Sequence, residues 1–435
     1  ALAEGTSFNH KRELIDEYGW RNFGELYADH EQATYQGNGR VVSHYNNQYD
    51  AIHGLAIQFL RTGDARWFQL MQELARHVVD IDIYHTKADR PAFNNGLFWH
   101  TDHDVTAATA THRTYSRRNR SRGGGPSNEH CYTTGLLYHY FLTGDPLSRE
   151  AVIDLARWVI DMDDGRHTAL RILSGQDTGL ASRTVEGAYH GPGRGPGNAI
   201  NACLDAFTVT ADVEFLDKAE QLIRRCIHPQ DDVDGRDLLD AERRWSYVVF
   251  LQVLGRYLDG KLERREIDSM YVYAKESLLA YARWMAAREG PNLDRRDALR
   301  EPTETWAAMD MRKSEVFKFA AKYGPEDWSA VFLERSRFFF RTAIDGLSSF
   351  STRTLTRPVV VLMSNGYMDA YFRQHEAEPV PAVTLVPEFD RPSMFVPQRR
   401  HAARRLGLLA GLVGAAFVAL WPGIRRVGGK GSARG

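Results

Sequence analysis

Cysteine is scarce in this 435-residue chain. The three present, Cys131, Cys203 and Cys226, stand far apart, form no CxxC pair and match no zinc-ligand spacing. An odd number so spread excludes a disulfide framework as the main source of stability, and leaves a single Cys203–Cys226 bridge as the open pairing. Excess charge of either sign is also missing. Lys+Arg number 55 and Asp+Glu 56, a formal net charge of -1, which excludes bulk nucleic-acid binding. The HExxH metal signature, the GxSxG serine elbow and the GxxxxGK[ST] phosphate loop are all absent. No long period-two alternation occurs before Pro379, so strands are not expected to dominate.

What is present is a globular composition, with 43% hydrophobic and 26% charged residues, and an internal repeat. Thr62-Gly63-Asp64 recurs 81 positions on as Thr143-Gly144-Asp145. At the same offset Leu74-Ala75-Arg76-His77-Val78-Val79-Asp80-Ile81-Asp82 recurs as Leu155-Ala156-Arg157-Trp158-Val159-Ile160-Asp161-Met162-Asp163, Gly54 maps to Gly135, and Asn47 to Asn128. Each unit reads as helix, tight turn, helix: Gly ends the first helix in a left-handed conformation and Asp caps the second. Leu70, Leu74, Val78 and Ile81 form one apolar stripe on the second helix. Weaker copies turn at Ala211-Asp212, Asp259-Gly260 and Gly324-Pro325, and 357–372 supplies a last inner helix.

Five or six such hairpins, with long insertions after the second helix of each early pair, predict an all-α fold: an α/α toroid over residues 1–378 with its long loops at one end. An open solenoid is the alternative. Residues 379–405 read as a Pro-rich and basic linker or a wrapping segment, 406–424 as a candidate transmembrane helix and 425–435 as a basic tail. The apolar run Leu406 to Trp421 is flanked by Arg399, Arg400, Arg404 and Arg405 before it and Arg425, Arg426 and Lys430 after it. At 1.5 Å per residue it reaches about 24 Å, against a hydrocarbon core of about 30 Å. The expectation is a membrane anchor and an extracytoplasmic location. Ala1 follows no basic and apolar leader, so either a signal has been removed or the chain begins inside a longer protein.

Loops gathered at one end of a rigid scaffold are where binding and catalysis concentrate. Residues 83–198 hold His85, His100, His103, His112, His130, His139, His167 and His190, eight of the 16 histidines. His103, His130, Tyr189, His190 and Arg194 are the candidate catalytic residues. Tyr45, Asn46, Asn47, Arg113, Asn128, Glu129, Glu186 and Trp245 are the candidate substrate-binding residues. Each has a plainer reading: a helix-start aromatic packs, a polar loop residue caps, and the arginines around Arg113 form a solvated loop. His53, His77 and His139 read as structural. No cofactor is expected; a divalent metal on His100, Asp102, His103 and Asp104 is conceivable but lacks helical ligand spacing.

Tyr18-Gly19-Trp20-Arg21-Asn22-Phe23-Gly24-Glu25, Ala28-Asp29-His30-Glu31 and His44-Tyr45-Asn46-Asn47-Gln48-Tyr49-Asp50 resemble the C-terminal α/α-toroid domain of the exo-rhamnogalacturonan lyase and YetA-like proteins, over about residues 8–375. The resemblance implies N-terminal β domains outside this chain and an acidic polysaccharide as substrate. It also implies cleavage by β-elimination at a uronic acid, with Tyr or His as acid and base and Arg, Asn or protonated Glu neutralising the substrate carboxylate. Other readings of the same loops are an inverting glycoside hydrolase, with carboxyls from Asp102, Asp104, Glu129 and Glu186, and a non-catalytic carbohydrate-binding toroid.

Overall fold

The computed structural model describes residues 2, 8–10, 23–26, 47–98, 126–184, 189–300, 302–351, 355–375, 380 and 388–427, with side chains left out at 414 and 417–427. The fold is all-α. Its principal helices are α1 (Ala51–Thr62), α2 (Ala65–His77), α3 (Thr134–Thr143), α4 (Pro146–Asp163), α5 (Arg194–Thr210), α6 (Val213–Cys226) and α7 (Tyr247–Glu263). They continue as α8 (Ser269–Arg288), α9 (Glu304–Tyr323), α10 (Glu326–Ser349), α11 (Thr356–Asn365), α12 (Met368–His375) and α13 (Gln398–Val427). Among the described residues, extended pairing is limited to two isolated bridges, Ile83 with Leu97 and Phe98 with Pro126.

The turns show why the chain doubles back. Gly63 and Gly144 take φ of 67° and 73°, a conformation that costs a residue with a Cβ roughly 1–2 kcal/mol. Thr62 and Thr143 donate their hydroxyls back to the carbonyls of Gln58 and His139. Asp64 and Asp145 then accept from the backbone N–H groups of Arg66 and Leu147. The third hairpin repeats this chemistry at Thr210-Ala211-Asp212, with Ala211 at φ 57° in the glycine position. The fourth departs from expectation. Asp259 and Gly260 lie inside α7, and the chain turns at 264–268, where Arg265 has φ 60° and Lys261 gathers Glu220, Glu266 and Asp268. The expected last helix is split at Gly366-Tyr367 into α11 and α12.

Helices pair in sequence, α1 with α2, α3 with α4, α5 with α6, α7 with α8, and α9 with α10. The first member of each pair also packs on the first member of the next, in the order α1, α3, α5, α7, α9, α11, and α11 packs on α1. There Gln58 Nε2 donates to Met363 O at 3.0 Å, and a Cβ on Gly54 would meet Ser364 Oγ at 2.9 Å. The stripe on α2 is buried at Leu70, Leu74 and Val78. Ile81 is only partly buried, because a π-helical turn over Val78–Asp82 rotates it out and carries Asp82 into the core. All three cysteines are buried and free. The Cys203–Cys226 bridge is not formed, and burial pushes both thiols up to about 12.

The C-terminal reading needs correction. Among the described residues no helix is long and apolar enough to cross a membrane. The apolar run is short for a bilayer, and it continues a helix that starts at Gln398 and carries Arg399, Arg400, Arg404 and Arg405 in its first turns. That start is docked on the body. Gln398 donates to the carbonyls of Gly165 and Ser174 and accepts from Thr168, and Arg405 donates to Leu173 O. The anchor, the membrane partner and the anchored extracytoplasmic placement therefore fall away as expectations. Upstream, residues 388–397 lie along the body as a strap. Phe389 meets Tyr273, and Phe395 meets His190 and the Arg225 guanidinium.

Candidate functional site

The first helices of the pairs surround a cavity of about 790 Å³. Its wall changes character along its length. One region is aromatic and cationic, with Tyr49, Tyr132, Arg194 and Trp245 at or just before helix starts and Arg312 reaching in from the middle of α9. Deeper it is polar and titratable, with Asp50, His53, Tyr138, Arg256, Glu315 and Tyr367. At the C-terminal ends apolar residues such as Phe141, Leu142 and Phe207 line the mouth.

The entry to α1 sets the first region. Asn47, Tyr49 and Asp50 have φ of 52°, 60° and 58°, left-handed backbone that residues with a Cβ adopt only when the surroundings hold them. Asn47 accepts from Ile52 N at 3.0 Å, and Asp50 N donates to Asn47 O at 2.9 Å. Asp50 reaches across to α3, where both carboxylate oxygens accept from Gly135 N at 3.2 and 3.0 Å. This twist lays Tyr49 edge-on to Trp245, with the Arg312 guanidinium 5.5 Å from the Tyr49 ring centre.

Arg194 opens α5 and pairs with Glu129 at 2.8 Å. Burial opposes its charge, but Glu129, Tyr132 and Tyr49 outweigh that and hold the guanidinium firmly protonated. Its guanidinium lies 5.4 Å from the Trp245 ring centre. Asn198 donates to Glu129 O, fixing the segment that carries the acid. Lower down, Asp205 accepts from Thr133 at 2.6 Å, from Thr134 at 2.9 Å and from Arg256. Arg256 also binds Asn201, so one polar belt ties α3, α5 and α7 together.

Three groups in the deeper wall titrate far from their usual range. Burial raises Glu315 to about 7, against the opposing pull of Gln252 and Arg312. Burial raises Asp50 to about 6 despite its backbone donors. Burial and then Arg256 lower His53 to about 4, leaving a neutral ring at pH 7 between Tyr138 and Tyr367. Gln252 positions the Glu315 carboxyl. Its amide nitrogen donates to Glu315 and to Asn365, both at 2.7 Å, while its oxygen accepts from Arg312 at 2.9 Å. Tyr367 is held protonated by burial and by the neighbouring Glu315 charge.

The sequence candidates divide. Arg194 and Trp245 line the cavity, with Glu129 directly behind Arg194. Asn47 and Asn128 are buried braces: Asn128 holds the carbonyls of Ala181 and Arg183 at 3.0 and 2.9 Å. His130 is buried against Tyr132 with ring centres 5.6 Å apart and does not line the cavity. Tyr189 and His190 do not join Arg194 there. Tyr189 lies under the Arg244 guanidinium. His190 bonds Ser182, is covered by Phe395 of the strap, and is lowered to about 4 by burial and then Arg225. The Gly-rich 191–193 turn separates these two from the start of α5. Tyr45, Asn46, His103, Arg113 and Glu186 lie outside the described residues, as do His100, Asp102 and Asp104.

Sequence reasoning missed Asp50, His53, Arg256, Arg312, Glu315 and Tyr367 as site residues. A signal existed in α9, where Asp310, Arg312, Lys313, Glu315 and Lys318 alternate with the apolar residues Met309, Met311, Val316, Phe317 and Phe319. Charges on a helix packed on several faces must meet partners or a cavity. No family model matches the chain, and no curated protein matches it.

Proposed function

We propose that the helices close into an α/α toroid whose central cavity cleaves an acidic, uronic-acid-containing glycan by β-elimination. The carrying observation is a single carboxyl, Glu315, lifted to about 7 and oriented by Gln252 beside the cationic Arg312 and the protonated Tyr367. A base poised near neutral pH suits abstraction of the C5 proton. The charge that then builds on the substrate carboxylate is met by the Arg312 and Arg194 side of the wall. Tyr367 supplies the proton for the departing O4. Trp245 and Tyr49 offer flat faces to the sugar ring. This reading agrees with the resemblance to exo-rhamnogalacturonan lyase and YetA-like toroids, and makes rhamnogalacturonan the first substrate to try.

Inverting hydrolysis needs two carboxyls free to work on opposite faces of the sugar. Asp50, the other raised carboxyl among the described residues of the cavity wall, is occupied by Gly135 N, His53 N and Asn47. Asp259 is held by Lys322 and Tyr323. Among the described residues that line the cavity this leaves Glu315 and, toward the C-terminal end of α7, Glu263, while Asp102, Asp104 and Glu186 lie outside the described residues; elimination needs Glu315 alone. The test is substitution at saturating substrate. Glu315→Gln and Tyr367→Phe are expected to lower kcat by at least about 100-fold with KM little changed. Retention of kcat in both would refute these roles.

A further inference from the structure

Three neighbouring helices show the cavity the same order of side chains. The entry to α1 and α1 itself present Asp50 and His53, and then Ile57 and Leu60. From α3 come Thr134, then Leu137 and Tyr138, and last Phe141 and Leu142. From α5 come Arg194, Asn198 and Asn201, and then Leu204 and Phe207 beside Thr208. Steps of three and four residues keep each set on one helix face. On all three, polar groups come first and mainly apolar ones last. We propose that the cavity takes an acidic sugar that carries an acyl or alkyl group, with the sugar among the polar side chains and the hydrocarbon in the apolar mouth. This rests on the acidic-sugar reading above and specifies which such compounds the site prefers.

The distances suit a ligand of two characters. At a rise of 1.5 Å per residue, Leu204 and Phe207 lie about 15–20 Å beyond Arg194 along α5, and Ile57 and Leu60 about 10–15 Å beyond Asp50. One sugar ring held at the polar end does not span that length, whereas an attached chain does. A longer glycan would also reach the mouth, but Leu60, Leu142 and Leu204 offer it neither flat aromatic faces nor hydrogen bonds. Its hydroxyls would lose water there without replacement.

The apolar side chains do not seal the mouth themselves. Leu60 and Phe141 are 55% and 59% exposed, and Leu142, Phe207 and Met368 are only partly buried. Gathered from α1, α3, α5 and α12, they form a patch rather than the single exposed apolar residues usual on a surface. It is continuous with the polar part of the same cavity, so a ligand seated in one can extend into the other. Charge at this end comes from α7. Asp259 is taken by Lys322 and Tyr323, and Arg264 pairs with Glu266 and lies 5.0 Å from the Phe207 ring centre. Glu263 adds a negative charge to the lining. That charge disfavours a second anionic sugar in the mouth and leaves a hydrocarbon chain unaffected.

The test is calorimetry of the full chain with methyl, butyl and octyl β-D-glucuronide, each below the concentration at which it forms micelles. None carries a glycosidic O4, so binding is read without turnover, and the ultraviolet assay of elimination stays a separate result. Affinity is expected to rise by up to about fourfold per methylene, and by at least about 30-fold from methyl to octyl. The heat-capacity change of binding is expected to become more negative with chain length. A variant carrying both Leu60→Ser and Phe141→Ser alters two exposed side chains and is expected to cut the octyl-to-methyl affinity ratio at least about fivefold. Methyl glucuronide binding as tightly as the octyl compound overturns the inference and spares the acidic-sugar reading. Binding of neither overturns both. A chain-length gain that the double variant keeps in full also overturns the inference, because the alkyl group then sits elsewhere.

Discussion

At the scale of single residues, the stability and the chemistry of the site pull in opposite directions. Glu315 holds its proton to about pH 7 in the folded chain and to about 4.3 when unfolded. Between those values the folded state binds more protons than the unfolded one, so this residue's contribution to stability declines as pH rises from about 4.3 to 7. Glu315→Gln removes the cost of ionising a buried acid. It is expected to raise Tm at pH 8, by roughly 1–2 kcal/mol of stability, and to leave Tm near pH 4 unchanged, while activity is lost. Thermal melts at the two pH values check the sign. In the wild type, kcat/KM is expected to rise through pH 7 as the carboxyl ionises. Gly135 is a second sensitive residue: a Cβ would lie 2.3 Å from Asp50 Oδ1 and 2.5 Å from His53 N. Gly135→Ala is expected to cost about 1–3 kcal/mol, read by denaturant unfolding.

At the scale of elements, the hairpin turns were legible because their chemistry is local. Thr, Gly and Asp act on backbone groups within four residues, so the pattern at 62–64 predicted the one at 143–145 and the caps both form. Ala211 occupies the same left-handed position without being glycine. Ala211→Gly is therefore expected to stabilise the chain by about 0.5–1 kcal/mol, raising Tm. The Asp259-Gly260 pair misled because glycine inside a helix costs little when its neighbours pack. Gly255, one turn earlier, shows the benefit: a Cβ there would strike the Phe319 ring at 2.3 Å. The π-turn at Val78–Asp82 was hidden because its repeat partner has the same length and nearly the same residues. The site was legible only at its rim, through Arg194, Glu129 and Trp245. Glu315 and Tyr367 come from α9 and from the junction of α11 and α12, distant in sequence, and their partners arise only from packing.

At the scale of the whole molecule, long-range contacts between α1 and α11 are what make a cavity out of a row of hairpins. The claim that the centre eliminates rather than hydrolyses is tested most directly by incubating the full chain with rhamnogalacturonan and other uronic-acid glycans, following ultraviolet absorbance and reducing ends together. The account predicts that absorbance from the new conjugated double bond rises in step with chain cleavage. Reducing ends without any rise in absorbance would contradict it.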